Sequence, residues 1–351
     1  MARSYRFDNL ADILTLPQAL QLPLPPPPLD AFRLRVFCGD FRAAITWIWR
    51  GLERSPREFR LRCDNDDPLV YSSERSPCFP GLILHRHGGA YTCRLRTVHL
   101  SGMHLSSDFG DDVIAGSPYG FRRLASRSLK KLFIGDRCGP DFGVDTLVLA
   151  VPHIVSLRFD SRPPPATSEV EMPSLVSASL TDTGRHARSL DLPSYLGVLC
   201  SLRHARSLDL SGFSAKALLV DEEPQDVPVF CNLRTLVMNA CELESECQVL
   251  RRFLRNAPRL ETLTLRDCTF AGGSGSGSKK RKRTSASSYH EHVPMAAYYP
   301  CKNLRSIELE FEEGLAVAEL ANALDDISKE AVHPIEISVQ EGKRRVKISY
   351  N

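Results

Sequence analysis

The sequence predicts an α/β solenoid: a curved parallel sheet with helices on its convex side, closed by a small C-terminal α+β cap. The first observation is the frame L-x-x-L-x-L-x-x-N/C. It occurs twice in succession, first at Leu233, Leu236, Met238 and Cys241 and then at Leu260, Leu263, Leu265 and Cys268. This frame, at a period of about 20–29 residues, marks a leucine-rich repeat. Each repeat has an apolar face that it cannot bury alone, so neighbouring repeats must stack.

Apolar residues at helical spacing separate the predicted strands, which is the second observation. Between the two frames, one apolar stripe consists of Val249, Leu250, Phe253 and Leu254 and ends at Asn256 and Pro258. Near the N-terminus, a longer stripe consists of Phe41, Ala44, Ile45, Ile48, Trp49 and Leu52. That stripe separates FRLRVFC from FRLRC, in which Leu34 and Leu61 have the same spacing as Leu236 and Leu263. Strands and helices therefore alternate, as expected for a parallel sheet.

Six further strands are predicted by pairs of apolar residues that alternate with polar ones: Val98/Leu100, Leu132/Ile134, Leu157/Phe159, Ala178/Leu180, Leu208/Leu210 and Ile307/Leu309. The steps between successive strands vary widely in length, which indicates degenerate repeats and insertions. The segment RHARSLDL at 185–192 recurs at 203–210, which is less than one repeat later. This distance is too short for two complete repeats, so we interpret it as a local duplication whose second copy forms the strand.

The composition divides the chain into four parts. Residues 1–31 form an N-terminal segment with a proline-rich spacer, which we interpret as a stiff connection rather than a ligand for a polyproline-binding groove. Residues 32–270 carry the repeats. Residues 271–294 form a Gly/Ser-rich and basic linker with too few apolar side chains to fold. Residues 295–351 form a β-α-β-β end piece that begins with the last repeat strand and has a hairpin turn at 341–343.

Charge and cysteine content narrow the class of protein. The 351 residues are 42% hydrophobic and carry a formal net charge of +3. This net charge is too small to create an overall electrostatic field that favours binding to a nucleic acid or a membrane. Eleven cysteines without a CxxC pair indicate reduced thiols, and hence an intracellular protein of the nucleus or the cytoplasm or both. The sequence contains no signal peptide and no apolar run near the roughly 18 residues of a membrane span.

Motifs for catalysis, metal binding or cofactor binding are missing from the sequence. Cys78, His85, His87 and Cys93 match no standard zinc spacing. The chain has no phosphate-binding loop after a strand and no GxSxG motif. The expected function is therefore binding rather than catalysis, with no cofactor and no metal.

A run of five basic residues lies inside the linker: Lys279, Lys280, Arg281, Lys282 and Arg283. Such a run is typical of a nuclear import signal. One alternative is a solvated charge run without a function. A nucleic-acid site is less favoured, because the run has neither interleaved aromatic residues nor a second basic face beside it.

The motifs LRTLVMNAC, VLRRFLRNAPRLETLTLRDC and NLRSIELEFEEG, followed by IEISVQ and RVKISY, resemble a plant family over roughly residues 30–351. This is the family of F-box/leucine-rich-repeat proteins with an F-box-associated C-terminal domain. The resemblance implies that the repeats hold a protein substrate of a cullin ubiquitin ligase, with an F-box that docks on a Skp-type adaptor.

The F-box motif itself is not matched in this chain. Residues 1–31 are shorter than an F-box, and LADILTLPQAL has the Leu-Pro pair without the pattern that should follow it. Docking on a Skp-type adaptor would therefore require an F-box outside this chain. We expect a substrate-recognition module of a ubiquitin ligase. The alternative is a leucine-rich-repeat scaffold that acts without a ligase in the nucleus.

The candidate binding residues flank the fourth position of the frame and should point to the exposed concave face of the sheet. They are Thr97, His99, Ser156, Arg158, Ser207, Asp209, Thr235, Val237, Thr262, Thr264, Arg266, Ser306, Glu308 and Glu310. Stacking would align them in two columns of mixed, mostly small polar side chains. Such a surface suits a protein partner better than a phosphate backbone, which requires clustered Lys and Arg. The alternative is that these side chains only solvate the sheet.

Overall fold

Parallel strands dominate the computed structural model of the chain. The structure describes residues 4–7, 28–37, 41–64, 78–79, 94–102, 104–105, 123–135, 147–160, 166–168, 171–182, 196–214, 228–244, 248–271, 303–311, 335–341 and 344–350. In chain order, the described strands are β1 (Ser4–Phe7), β2 (Ala31–Phe37), β3 (Glu58–Asp64), β4 (Cys78–Phe79), β5 (Thr97–Ser101), β6 (His104–Leu105), β7 (Arg123–Ala125), β8 (Lys131–Ile134), β9 (Leu147–Ala150), β10 (Ser156–Phe159), β11 (Ala166–Ser168), β12 (Ser177–Thr181), β13 (Ser207–Ser211), β14 (Thr235–Asn239), β15 (Glu242–Glu244), β16 (Thr262–Arg266), β17 (Thr269–Ala271), β18 (Ser306–Phe311), β19 (Ile335–Glu341) and β20 (Arg344–Tyr350). The described helices are α1 (Phe41–Glu53), α2 (Leu196–Ser201) and α3 (Gln248–Arg255).

The main sheet adds its strands in the order of the chain: β1-β2-β3-β5-β8-β10-β12-β13-β14-β16-β18-β19-β20. Neighbouring strands from β1 to β19 are parallel. The last pair is antiparallel, with Glu341 opposite Arg344 at the predicted hairpin turn. The predicted α/β class with one long parallel sheet is therefore confirmed. The helix expected near Val317 and Ile327 lies outside the described residues.

The register of the sheet confirms the neighbours predicted from the sequence. Leu236 is the Cα partner of Leu208 on one side and of Leu263 on the other. Ile307 is the next partner of Leu263, although the linker at 271–294 lies between them in the chain. Ala178 pairs directly with Leu208, so β12 and β13 are neighbours in the sheet; the first copy of RHARSLDL lies outside the described residues.

In the first strands, the predicted alignment of apolar positions between neighbouring strands is wrong by two residues. The spacing aligns Leu34 and Leu61 with Val98, but Val98 pairs with Phe59, and Phe59 pairs with Phe32. Alternating strands repeat every two residues, so a shift by two leaves the apolar pattern unchanged and the pattern cannot detect it. The two phenylalanines are buried and stack with ring centroids 5.6 Å apart. They take the place of the expected leucines.

The sheet also begins before the first repeat strand identified in the sequence. β1 lies parallel to β2, with Tyr5 opposite Phe32. Its four residues match no leucine position of the frame, so the repeat pattern does not predict this strand.

The core consists of apolar side chains that point to one face of the main sheet. Leu208, Leu236, Leu263 and Ile307 are buried in a row, and the positions two residues later form a second buried row. Burial of one such side chain contributes roughly 1.5–3 kcal/mol. The predicted stripe of α3 is buried against this core, and so are Ala44, Ile48 and Leu52 of α1.

The two cysteines of the frame are also buried in the core. The Cys241 thiol donates a hydrogen bond to the Leu210 carbonyl at 3.3 Å, and Cys268 donates to the Met238 carbonyl at 3.5 Å. Each thiol therefore reaches the backbone of the preceding strand, which couples neighbouring repeats.

Several connections between neighbouring strands of the main sheet contain short strands, and not only the helices that a strand–helix repeat predicts. These short strands form three further parallel sheets: β7, β9 and β11 form one, β15 and β17 a second, and β4 and β6 a third. The steps from β8 to β10 and from β10 to β12 are the shortest between parallel neighbours of the main sheet. A strand covers about twice the distance of a helix with the same number of residues, so it suits these short repeats.

A left-handed residue follows several strands at the same position of the repeat. Gly212, Ala240 and Asp267 have φ values of 76°, 48° and 46°, and Gly102 has 73°. The first three donate their N–H to the neighbouring strand at 2.8 Å. The chain thus turns out of the sheet without losing its backbone hydrogen bonds.

Candidate functional site

The face of the main sheet opposite the core presents the candidate binding residues in two columns. In the first column, one continuous register joins Glu58, Thr97, Lys131, Ser156, Ser177, Ser207, Thr235, Thr262, Ser306 and Glu336. In the second column, the register joins Arg33, Arg60, His99, Phe133, Arg158, Ser179, Asp209, Val237, Thr264, Glu308 and Ser338. The structure therefore brings the candidate residues onto one surface. Arg266 and Glu310 are partners two residues further along their strands.

Several members of these columns are missing from the sequence-based set. Arg33, Arg60, Lys131 and Phe133 lie on strands that the sequence identifies, but they were not counted among the exposed residues. The signal was present, because alternation assigns every second residue of a strand to the same face. Together they add a cluster of cationic and aromatic side chains to the face.

Thr264 departs from the expected exposure. Its side chain is only 4% exposed, although it lies on the outward-facing column between Val237 and Glu308. Its hydroxyl lies 3.5 Å from Oε2 of Glu308. Alternation along the strand predicts an exposed side chain here and does not account for this burial.

Two arginines share one carboxylate at the N-terminal end of the face. Nε of Arg33 lies 3.1 Å from Oε1 of Glu58, and Arg60 binds the same oxygen. Partial burial alone would raise the pKa of Glu58, but the hydrogen bonds and charges of both arginines outweigh it and lower that pKa. The single carboxylate of Glu58 thus offsets only one of the two guanidinium charges, so this cluster keeps a net positive charge.

An aromatic pair lies beside this arginine cluster. The rings of His99 and Phe133 stack with centroids 3.8 Å apart and planes inclined by 26°. Cζ of Arg158 lies 5.4 Å from the Phe133 centroid, within the range of a cation–π contact. Partial burial, followed by the charge of Arg60, lowers the pKa of His99 below its ordinary 6.5, so the imidazole is neutral at pH 7.

The C-terminal part of the face has the opposite charge. Glu308, Glu310 and Glu336 lie there, and Nε of Arg266 forms an ion pair with Oε2 of Glu310 at 3.2 Å. The middle of the face consists of serines and threonines together with Asp209 and Val237. The surface therefore changes from cationic and aromatic at one end, through small polar side chains, to mainly anionic at the other.

The remaining candidates add no chemical centre to this face. Within the described ranges, no group of three His, Cys, Asp or Glu side chains is arranged to hold a metal ion. His85, His87, Cys93 and the basic run at 279–283 lie outside those ranges. Of the helices that the structure describes, none has the length and apolarity needed to cross a membrane.

Comparison with known proteins connects this chain to one family. It is 31% identical over 336 residues to a rice protein (Oryza sativa subsp. japonica) described as meiotic F-box protein MOF, and the alignment covers 87% of this chain and 66% of the rice protein. It is also 30% identical over 156 residues to a putative F-box protein from Arabidopsis thaliana, which covers 41% of this chain and 32% of that protein. The chain thus spans just under two thirds of the rice relative. No protein-family model matches it, and neither does any solved structure.

Similarity to the rice protein extends over 87% of the chain, and the Arabidopsis relative is also described as an F-box protein, a putative one. The chain belongs to the plant F-box protein family.

Proposed function

We propose that this chain is the substrate-recognition part of an F-box ubiquitin ligase, and that the outward face of the main sheet holds the protein substrate. The observation that carries this proposal is the exposed face itself, whose two columns continue without a break in register from β2 to β19. Parallel neighbours lie about 4.8 Å apart, so this face extends over roughly 48 Å, enough for a protein interface. The role is binding rather than catalysis.

The repeat type forms part of the proposal. We assign the sheet to leucine-rich repeats because the leucine positions of the frame are buried and Cys241 and Cys268 bond to the preceding strand. We assign β18, β19 and β20 to an F-box-associated C-terminal domain. The antiparallel β20 supports this assignment, because an unlike end unit closes a stack of repeats.

A ligase-independent scaffold is the second candidate. It is favoured by LADILTLPQAL, which has the Leu-Pro pair of an F-box but not the residues that should follow. It is also favoured by the basic run at 279–283, which would direct a scaffold to the nucleus. In that case the sheet face binds a partner protein without a Skp-type adaptor.

Affinity purification from plant cells separates the two candidates when the chain is tagged in its own gene, so that any F-box encoded with it is retained. The ligase proposal predicts that a Skp-type adaptor and a cullin co-purify in stoichiometric amounts, as they do with an established plant F-box protein that serves as the positive control. Deletion of residues 8–20, which contain LADILTLPQAL, should release neither subunit, because this segment lacks the F-box pattern. If the tagged protein captures neither subunit while the positive control captures both, the scaffold is the correct function.

A further inference from the structure

The cationic end of the sheet face is built to bind a particular chemistry. We propose that the basic patch, defined as Arg33, Arg60, His99, Phe133 and Arg158, binds an extended acidic peptide segment of the partner protein, rich in Asp and Glu and carrying one apolar side chain. This inference rests on the proposed function, because it specifies the partner of the same face.

The charge on the patch is concentrated rather than balanced. Across β2, β3, β5, β8 and β10, the outward positions hold six cations: Arg33, Arg35, Arg60, Arg62, Lys131 and Arg158. Among the side chains that the structure describes, the acidic ones at outward positions of the same strands or immediately after them are Glu58 and Asp160. A surface with such a surplus attracts an anionic segment and rejects a cationic one.

The arginines are oriented before a partner arrives. Glu58 holds Arg33 and Arg60 through their Nε atoms, and Nε of Arg158 lies 2.6 Å from Oδ1 of Asp160. The side chains of Arg33, Arg60 and Arg158 nevertheless remain about half exposed. A guanidinium that is already held loses less conformational entropy on binding, and its planar fork matches a carboxylate.

The aromatic pair supplies an apolar contact within this charged surface. Phe133 lies on the outward column, so the core does not require its large apolar side chain there. His99 stacks on the Phe133 ring and the Arg158 guanidinium lies over the same ring, and Phe133 remains partly exposed. Aromatic and arginine side chains dominate the binding energy of protein interfaces. An apolar residue of the partner would therefore pack here while flanking carboxylates meet the arginines.

The dimensions of the patch set the length of the segment. From β2 to β10 there are four steps between neighbouring strands, or about 19 Å at roughly 4.8 Å each. An extended chain advances about 3.3 Å per residue, so about six residues cross the patch. The apolar residue should lie near the middle of that segment, opposite the stacked rings of β5 and β8.

Two other occupants fit less well. Single-stranded RNA is bound by a basic groove with several aromatic side chains on which successive bases stack, whereas this patch offers one stacked pair, His99 and Phe133. A second copy of this chain would have to offer its own acidic end. There, however, Glu310 is already paired with Arg266, and Glu308 contacts Thr264.

Fluorescence anisotropy with a labelled hexapeptide of Asp and Glu with one central Phe tests the proposal on the full chain. We expect saturable binding with a Kd in the micromolar range, weakened by added salt. Arg158→Glu should weaken it at least about tenfold, and Phe133→Ser should abolish the preference for the peptide with Phe over one with Ser in its place.

Arg234→Glu is the matched control, because Arg234 is also ion-paired, with Glu261, and is 58% exposed, compared with 55% for Arg158, but it belongs to neither column of the face. It should change the Kd less than about twofold, since it lies outside the basic patch. Thermal unfolding of each variant verifies that it is folded.

Several results would overturn the proposal. These are no peptide binding by the folded chain, equal losses for Arg158→Glu and Arg234→Glu, tighter binding of a single-stranded RNA dodecamer at the same salt concentration, or self-association that Arg158→Glu abolishes. If the peptide fails but other variants of the face still lose partners in cells, the inference is wrong and the proposed function stands.

Discussion

Leu236 and Leu263 are direct Cα partners in neighbouring parallel strands, although one whole repeat separates them in the chain. Both side chains are completely buried. The same spacing separates Cys241 from Cys268, and each thiol bonds to the strand before its own. One period in the sequence therefore corresponds to one step across the sheet in this part of the molecule.

The buried leucine row predicts a large stability difference between two adjacent residues. Leu263→Ala removes a completely buried side chain and should lower the free energy of unfolding by roughly 2–5 kcal/mol. Thr264→Ala loses one covered methyl group and a long contact with Glu308, so about 1 kcal/mol is expected. Urea unfolding of both variants measures the difference. Equal losses would mean that the register of β16 is wrong.

The left-handed residues after the strands predict a stabilising substitution. Ala240 has a φ of 48°, a conformation that costs an L-residue about 1–2 kcal/mol. Ala240→Gly should therefore raise the free energy of unfolding by about 0.5–1 kcal/mol, after allowing for the greater freedom of glycine in the unfolded chain.

Gly212→Ala is the reverse experiment at the equivalent position. A Cβ at Gly212 would overlap the Asp182 carbonyl oxygen, so this variant should be destabilised, and by more than Ala240→Gly is stabilised. Thermal unfolding compares the two. A loss of stability in Ala240→Gly would contradict the proposed backbone strain.

The stacking of His99 on Phe133 predicts that the pKa of His99 lies below its ordinary value. The pKa of His99 is held below 6.5 by partial burial and by Arg60, with smaller contributions from Arg158 and Arg62, while Asp160 opposes them. The folded state thus favours neutral imidazole. The stabilising free energy from this preference is fully present above pH 6.5. It is lost as the pH falls through the lower pKa that His99 has in the folded state.

NMR titration of the His99 ring protons measures this pKa directly. Phe133→Ala uncovers the imidazole and should move its pKa upward, toward 6.5. A pKa at or above 6.5 in the unsubstituted chain would contradict the stacked arrangement.

The basic run predicts nuclear accumulation without any change in stability. Residues 271–294 separate the strand sequences at 262–266 and 306–311, which are direct neighbours in the sheet. Deletion of residues 272–288 should leave the thermal midpoint nearly unchanged, because closure entropy depends only logarithmically on loop length.

A fluorescent fusion of the full chain should concentrate in the nucleus. Replacement of Lys279, Lys280, Arg281, Lys282 and Arg283 by Ala should abolish this enrichment. If the five-alanine variant has the same distribution as the parent, the nuclear interpretation is wrong.

Periodicity in the sequence predicts the strands and their neighbours, but not their exact register. The strands of the main sheet that contain Leu208, Leu236 and Leu263 could be identified because leucines at fixed spacing mark them. The shift by two residues at Phe32 and Phe59 escaped detection, because an alternating strand presents the same apolar pattern after such a shift.

The candidate face could be predicted in outline but not in its charge. Alternation assigns Arg33, Arg60 and Phe133 to the outward face, yet only the register places them beside His99 and Arg158. Contacts between residues of different repeats, such as the stacking of His99 on Phe133, depend on the sheet and not on local sequence. The burial of Thr264 has the same origin.

Whether the outward face holds the substrate is tested most directly by a quantitative comparison of the proteins that co-purify with the full chain and with two variants. Ser179→Arg and Asp209→Arg together alter the middle of the outward face, whereas Glu242→Arg introduces an arginine on β15, outside the main sheet. We expect the double variant to lose the substrate proteins held by the face while Glu242→Arg retains them, with both variants folded. Identical sets of co-purified proteins for all three chains would contradict this expectation.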